Sequence, residues 1–156
     1  MNDNKIIDGK LASSQIREKV KKFGDDLQIK TGKKPGLAVV LVGEHPASRV
    51  YVKNKIEKTK EVGFNSIEHK LSENVSEEDL LNLVNKLNED GRVQGILVQL
   101  PLPDHINSDK ILDQIKPEKD VDGFHAVNVG KLWSGMNSLV PCTPLGSSIL
   151  IKKTLS

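Results

Sequence analysis

The sequence predicts an α/β fold, a three-layer α/β/α arrangement with a mainly parallel sheet, and three observations carry that expectation. Strand-like and helix-like patterns alternate along the chain; the run Leu37-Ala38-Val39-Val40-Leu41-Val42 is apolar on both faces; glycines, prolines and capping residues punctuate the segments. Alternation of this kind lays helices over a parallel sheet with right-handed crossovers. A strand apolar on both faces belongs at the centre of such a sheet.

The elements run in order. After a short Ile6-Ile7 segment and an Asp8-Gly9 turn, Leu11, Ile16, Val20, Phe23 and Leu27 recur every three to five residues on a charged background, the pattern of an amphipathic helix closed by Gly32 and Pro35. The central strand 37–42 ends at Gly43. A helix over about 47–62 has Gly63 as its left-handed C-cap, and 64–71 alternates loosely as a second strand, completing one βαβ unit. Ser76-Glu77-Glu78-Asp79 reads as a capping box ahead of a helix buried through Leu80, Leu81, Val84 and Leu87 and stopped by Gly91. Residues 93–99 form a third buried strand, and Asn107 caps a helix through Ile111, Leu112 and Ile115 before Pro117. In the tail, Thr143 as cap and Pro144 at the first helical position start a last helix carrying Ile149-Leu150-Ile151.

Bulk properties narrow the function classes. The 156 residues suit one domain, burying about two thirds of the unfolded surface. Lysine plus arginine total 23 against 21 acids, and no basic stripe with interleaved aromatics is present, so nucleic acid is not expected as a partner. The single cysteine, Cys142, excludes an internal disulfide, and the polar start Met1-Asn2-Asp3-Asn4-Lys5 lacks a signal-peptide core, which makes the expected compartment cytoplasmic. No apolar run approaches the roughly 20 residues of a membrane span. His45, His69, His105 and His125 show no metal-ligand spacing, so no metal site is expected. Cys142 has no sequence-level base beside it and reads as a small packed residue.

In open parallel sheets, ligands bind beyond the carboxyl ends of strands. Three polar clusters fall there: Gly43-Glu44-His45-Pro46-Ala47-Ser48 leading into Tyr51 and Lys55, then Gln99, then Asp122 in Lys119-Asp120-Val121-Asp122-Gly123. Tyr51 and Lys55 share one helix face, one turn apart. Alone, that spacing more often marks a solvated face. It also marks short-chain dehydrogenases, but no G-x-G-x-x-G occurs here. Gln99 ends a buried strand, where an unpartnered amide costs about 1–3 kcal/mol; it either caps backbone or serves a ligand. Pro101 and Pro103 then force the chain out of the ladder. Asp122 and Asp120 are equally eligible on spacing, and both are compatible with simple turn aspartates.

Taken together, Pro46-Ala47-Ser48-x-x-Tyr51-Val52-x-x-Lys55, Gly95-Ile96-Leu97-Val98-Gln99-Leu100-Pro101-Leu102-Pro103, Pro117-Glu118-Lys119-Asp120-Val121-Asp122-Gly123-Phe124 and Pro141-Cys142-Thr143-Pro144 resemble the bifunctional methylenetetrahydrofolate dehydrogenase/cyclohydrolase family, in order along almost the whole chain. The resemblance covers that family's amino-terminal catalytic domain and implies that the second, dinucleotide-binding domain is lacking. It implies a folate-binding catalytic domain over 1–146, with 147–156 starting the helix that leads toward an NADP-binding domain. It further implies tetrahydrofolate as co-substrate, NADP in the full-length family with no cofactor-binding residues in this chain, and no metal.

By the same resemblance Lys55 is the catalytic lysine, Gln99 the amide that positions it, Tyr51 the ring that stacks on substrate, and Asp122 the carboxylate that holds the pterin; Ser48, Val98, Leu100 and Pro101 join them in binding substrate. The chemistry suits these roles. A pterin offers adjacent donors to a carboxylate and flat faces to an aromatic ring. In a cyclohydrolase step, a lysine shuttles protons if a desolvated cleft lowers its pKa from about 10.4, and an amide orients it without adding negative charge. Gln99 is therefore not expected to be exchangeable for glutamate. Dehydrogenase activity is not expected of this chain alone, and cyclohydrolase activity is expected to be weakened. The alternatives are a non-catalytic α/β ligand-binding or interaction module using the last helix, and a related domain with a changed substrate. Oligomeric state is left open, a homodimer being one option, as is NADP against NAD.

Overall fold

The computed structural model describes residues 6–155; the polar start Met1-Asn2-Asp3-Asn4-Lys5 lies outside them. Helix α1 (Gly9–Thr31) leads into β1 (Gly36–Val42), α2 (Pro46–Glu61), β2 (Asn65–Leu71), α3 (Glu77–Glu89), β3 (Gly95–Val98), α4 (Ser108–Gln114), α5 (Ala126–Trp133) and α6 (Cys142–Leu155). The three strands pair in parallel in the order β2-β1-β3, with Leu37 level with both Ser66 and Gly95. A single parallel bridge between Ile96 and Asp120 adds the stub of a fourth strand beyond β3.

Side chains alternate across β1 because successive residues of a strand point to opposite faces. Ala38, Val40 and Val42 face one way and meet Leu80, Val84 and Leu87 of α3 with Ile111 of α4; Val39 and Leu41 face the other way and meet Val52 and Ile56 of α2. Helices thus cover both faces, as the alternation of patterns predicts. The strand order also reverses at β1: the chain passes to β2 on one side, then crosses back to β3 on the other. Such a reversal opens a crevice at the carboxyl ends of the two central strands.

The expected stop and start signals take their places with a few corrections. Gly32, Gly43 and Gly63 have φ of 70, 75 and 82°, and each ends its element. Ser76 accepts from Asp79 N–H at 3.0 Å, but its hydroxyl donates to the Asp79 carboxylate at 2.6 Å instead of leaving that carboxylate to reach back to backbone, so the capping box is half formed. Asn107 accepts from Lys110 N–H at 3.1 Å. Asp8 is not part of a turn: it caps α1, accepting from Leu11 N–H at 2.9 Å. The last helix starts two residues early, at Cys142 instead of Pro144, so Thr143 and Pro144 lie inside its first turn.

One expectation fails, and one element goes unannounced. The apolar stripe of α1 remains largely in solvent, Phe23 being 67% exposed; Ala12 and Gly24 are the buried residues. Gly24 instead receives the ring of Phe64, where a Cβ would lie 2.3 Å from a ring carbon, and Arg17 pairs with Glu61 at 2.8 Å. Helix α5 has no counterpart in the sequence reading. Its apolar residues Val127, Val129, Leu132 and Trp133 point outward, so no buried period announces it. Gly135, in the left-handed region, and Met136 close it by donating to Leu132 O and Lys131 O, a Schellman motif that Gly135 alone could have flagged.

Candidate active site at the strand reversal

The crevice is a cleft of about 1040 Å³. Tyr51 and Lys55 come to it from α2, Val98, Gln99 and Leu100 from the end of β3, and Asp122 from the turn after the fourth-strand stub. The amine, phenol, amide and carboxylate singled out from the sequence therefore line one hollow. Ser48 is buried in the first turn of α2, and neither it nor Pro101 is among the lining residues.

Each side chain is placed by a local cause. Pro46 opens α2 at a position where no N–H is needed, and Val52 and Ile56 anchor the helix on the sheet. Tyr51 and Lys55 then project from the flank beside that buried stripe. Tyr51 is 62% exposed, a ring standing at the rim, whereas Lys55 is half-buried. The Lys55 ammonium donates to Gln99 Oε1 at 3.2 Å, while Gln99 Nε2 donates to Leu100 O at 2.6 Å. The amide is thus fixed from its nitrogen end and presents only its oxygen to the lysine. Gln99 remains on the ladder through its own N–H to Val40 O at 2.9 Å, and the peptide between Leu100 and Pro101 is cis.

The fourth-strand stub resolves the choice between the two aspartates. Ile96 N–H donates to Lys119 O at 2.7 Å, which sets residues 119–121 beside β3 and brings Asp122 to the carboxyl edge. Gly95 permits this approach, since a Cβ there would lie 2.4 Å from Val121. Asp120 turns inward, 2% exposed, and Asp122 turns to the cleft. Burial raises the pKa of Asp122; the Lys55 ammonium opposes that rise and the Asp120 carboxylate adds to it. Cys142, expected to be packed, is exposed at the cleft instead, with Sγ 3.8 Å from Val121 O. Partial desolvation of the sulfur against the cleft wall raises its thiol pKa, Asp122 adds to the rise and Lys55 opposes it.

The rest of the cleft runs along the α2 face of β3 past Leu97 and Gly95 to Val62, Phe64 and Val20, and its walls are mainly apolar. A flat, partly aromatic ligand fits such a surface with few polar fixing points. Among the described residues there is no group of three or more metal-ligating side chains, and no helix long and apolar enough to cross a membrane.

Fold and cleft define the class: a doubly wound α/β domain with a lysine–amide pair and a carboxylate where the strand order turns back. The protein's relatives narrow it further. Residues 7–122 match the family of the tetrahydrofolate dehydrogenase/cyclohydrolase catalytic domain, and the chain belongs to that family. It is 56% identical over 149 residues to the bifunctional protein FolD of Listeria innocua, covering 96% of this chain and 52% of the relative. It is 53% identical to the corresponding protein of Paramagnetospirillum magneticum, over 99% of this chain and 52% of that one. The crystal structure of the bifunctional FolD methylenetetrahydrofolate dehydrogenase/cyclohydrolase from Campylobacter jejuni superimposes with a TM-score of 0.91 at 49% identity, over 94% of this chain and 52% of that one. The Trypanosoma brucei dehydrogenase-cyclohydrolase, complexed with NADP cofactor and inhibitor, gives 0.94 at 34% identity over the whole of this chain and 54% of that one. The chain spans about half the length of the curated relatives it matches.

Proposed function

We propose that this chain is the folate-handling catalytic half of an enzyme that interconverts methylene-, methenyl- and formyl-tetrahydrofolate, and that its own residues perform the cyclohydrolase step. The observation that carries this reading is the 3.2 Å contact between Lys55 Nζ and Gln99 Oε1 in a cleft shared with Tyr51 and Asp122. Family membership supports it. Residues 1–146 are taken as the folate-binding unit and 147–156 as the lead into the second half that longer relatives carry.

In this mechanism Asp122 accepts the pterin's aminopyrimidine donors and Tyr51 stacks on the flat part of the substrate. Val98 and Leu100 wall the site, with Ser48 and Pro101 supporting the helix and rim behind it. Water adds to the cationic carbon that bridges the two folate nitrogens. The tetrahedral adduct collapses to the formyl compound when both protons of the added water have left its oxygen, one passing to the ring nitrogen whose bond to carbon breaks and the other released to solvent. Lys55 Nζ moves those protons, and Gln99 holds it in line without placing a negative charge beside it. A cleft with mainly apolar walls strengthens each of these polar contacts.

The described residues do not fit the phosphates of a nicotinamide dinucleotide. At the β1–α2 turn, where a doubly wound fold would cradle them, there is no glycine-rich loop, Pro46 removes an N–H, and the Arg49 guanidinium is already paired with Glu44 at 2.8 Å. We therefore assign no part of a hydride transfer to this chain beyond holding the folate. A cytoplasmic enzyme free of nucleic acid and membrane fits the same reading.

The test is direct. The purified chain is mixed with methenyltetrahydrofolate, and its decay is followed beside a Lys55→Ala variant. Decay above background in the wild type that is lost in the variant supports the assignment; equal rates remove Lys55 from the mechanism. Saturable folate binding with no turnover in either would favour a non-catalytic binding module.

A further inference from the structure

Asp120 is the most deeply buried carboxylate of the described residues, and the cleft does not use it. Its oxygens accept from three donors: Gly123 N–H at 3.0 Å, His125 N–H at 2.9 Å and Asn128 Nδ2 at 2.9 Å. Asn128, itself buried, gives its other amide proton to Pro117 O at 2.8 Å, and Ser138 Oγ donates to Asn128 O at 2.9 Å. These bonds tie together the segment before the turn, the turn itself, the start of α5, α5 and the segment after it. Asp122 stands in the middle of what they enclose.

A buried carboxyl group held by three fixed donors gains little by moving and loses much if one donor is removed. Gly123 has φ of 68°, and a Cβ there would lie 3.0 Å from Leu139 O and from Pro141, so the turn is pressed on the strand of chain that leads into Cys142 and Thr143 at the cleft. Any loosening of the turn therefore displaces one whole wall.

We infer that Asp120, braced by Asn128, is a positioning residue that acts through Asp122, holding the 120–125 turn so that the Asp122 carboxylate meets the pterin edge. This rests on the folate reading above for the identity of the ligand, though not for the brace. Asp120→Asn keeps the shape of the side chain but turns one acceptor into a donor facing donors.

The experiment is a mutant cycle on the full chain, with tetrahydrofolate binding measured by calorimetry. Asp120→Asn and Asp122→Asn each weaken binding about tenfold, and the double variant binds no worse than Asp122→Asn alone. Additive losses would overturn the inference, because they would mean that Asp120 acts independently of Asp122. If Asp122→Asn weakens binding and Asp120→Asn does not, the inference falls and the folate reading stands. If the wild type takes no tetrahydrofolate, the folate reading falls and amide hydrogen exchange decides the brace: Asp120→Asn must speed exchange at Gly123 and His125 while β1 is unchanged, and equal rates overturn it. Asn128→Ala, which leaves the carboxylate in place, carries the same comparisons if Asp120→Asn fails to fold.

Discussion

On the α3–α4 side of the sheet, Ala38, Val40, Val42, Ile96 and Val98 are sealed beneath Leu80, Val84, Leu87, Ile111 and Ile115, all nearly inaccessible to solvent. On the α2 side, Val39, Leu41 and Leu97 meet Val52 and a few half-buried neighbours, and the surface of β3 opens into the cleft. The same three strands serve both faces. One side is filled and supplies stability, whereas the other is left half-covered and holds the cleft. The contrast teaches that a cleft can stay open at the carboxyl edge because the packing of one face of the sheet leaves the other free to remain unfinished.

The comparison can be broken most forcefully on the filled side. Leu80→Ala removes a wholly buried side chain and is expected to cost about 3 kcal/mol of unfolding free energy, read by chemical denaturation, with residual folded protein keeping its affinity for folate. A loss of under about 1 kcal/mol would mean that the filled face is not what holds the fold. Lys55→Ala should do the reverse: at least about a hundredfold less methenyltetrahydrofolate turnover with an unchanged denaturation midpoint. Gln99→Glu sharpens the electrostatic side of the contrast. It sets a carboxylate 3.2 Å from the Lys55 ammonium, and turnover should fall about tenfold as the rise of the pH–rate profile moves to higher pH.

The smallest effect concerns Asp122, whose pKa is raised chiefly by burial. An acid with a raised native pKa holds its proton more readily folded than unfolded. The native state therefore loses stability as pH climbs from the ordinary value of 3.8 through the raised one, and the loss persists at neutral pH. Asp122→Asn should accordingly raise the thermal midpoint by about 1–2 °C at pH 7 while weakening folate binding. A lowered midpoint would show that Asp122 helps to hold its own turn, contrary to the division of labour between it and Asp120.

Much of this was readable from the residues. Leu37 to Val42 declared a central strand because no face of it was polar, and the glycines at 32, 43 and 63 declared where elements stop because each takes a left-handed φ. The lysine, tyrosine and amide of the cleft were readable because each follows a strand end that the apolar pattern fixes. What could not be read depended on neighbours distant in sequence. Asp120 and Asp122 are two apart, and which of them turns inward is decided by the pairing of Ile96 with Asp120. The stripe of α1 predicted a buried face, yet the contact that seats the helix is Gly24 against Phe64. Helix α5 escaped because its apolar residues face solvent, Trp133 being 93% exposed.

Lys119 links the two regions. Its ammonium donates to Leu87 O at 3.1 Å and Asp90 O at 3.0 Å, at the end of α3, while its carbonyl accepts from Ile96. Lysine at a helix C-terminus satisfies carbonyls that the helix leaves open. Because the next residue is Asp120, the tether joins the last turn of α3 to the turn that presents Asp122. The mouth of the molecule is thereby latched to its keel: thermal fluctuations that would splay the cleft wall must first prise a core helix from its moorings, so the Asp122 turn keeps its aim.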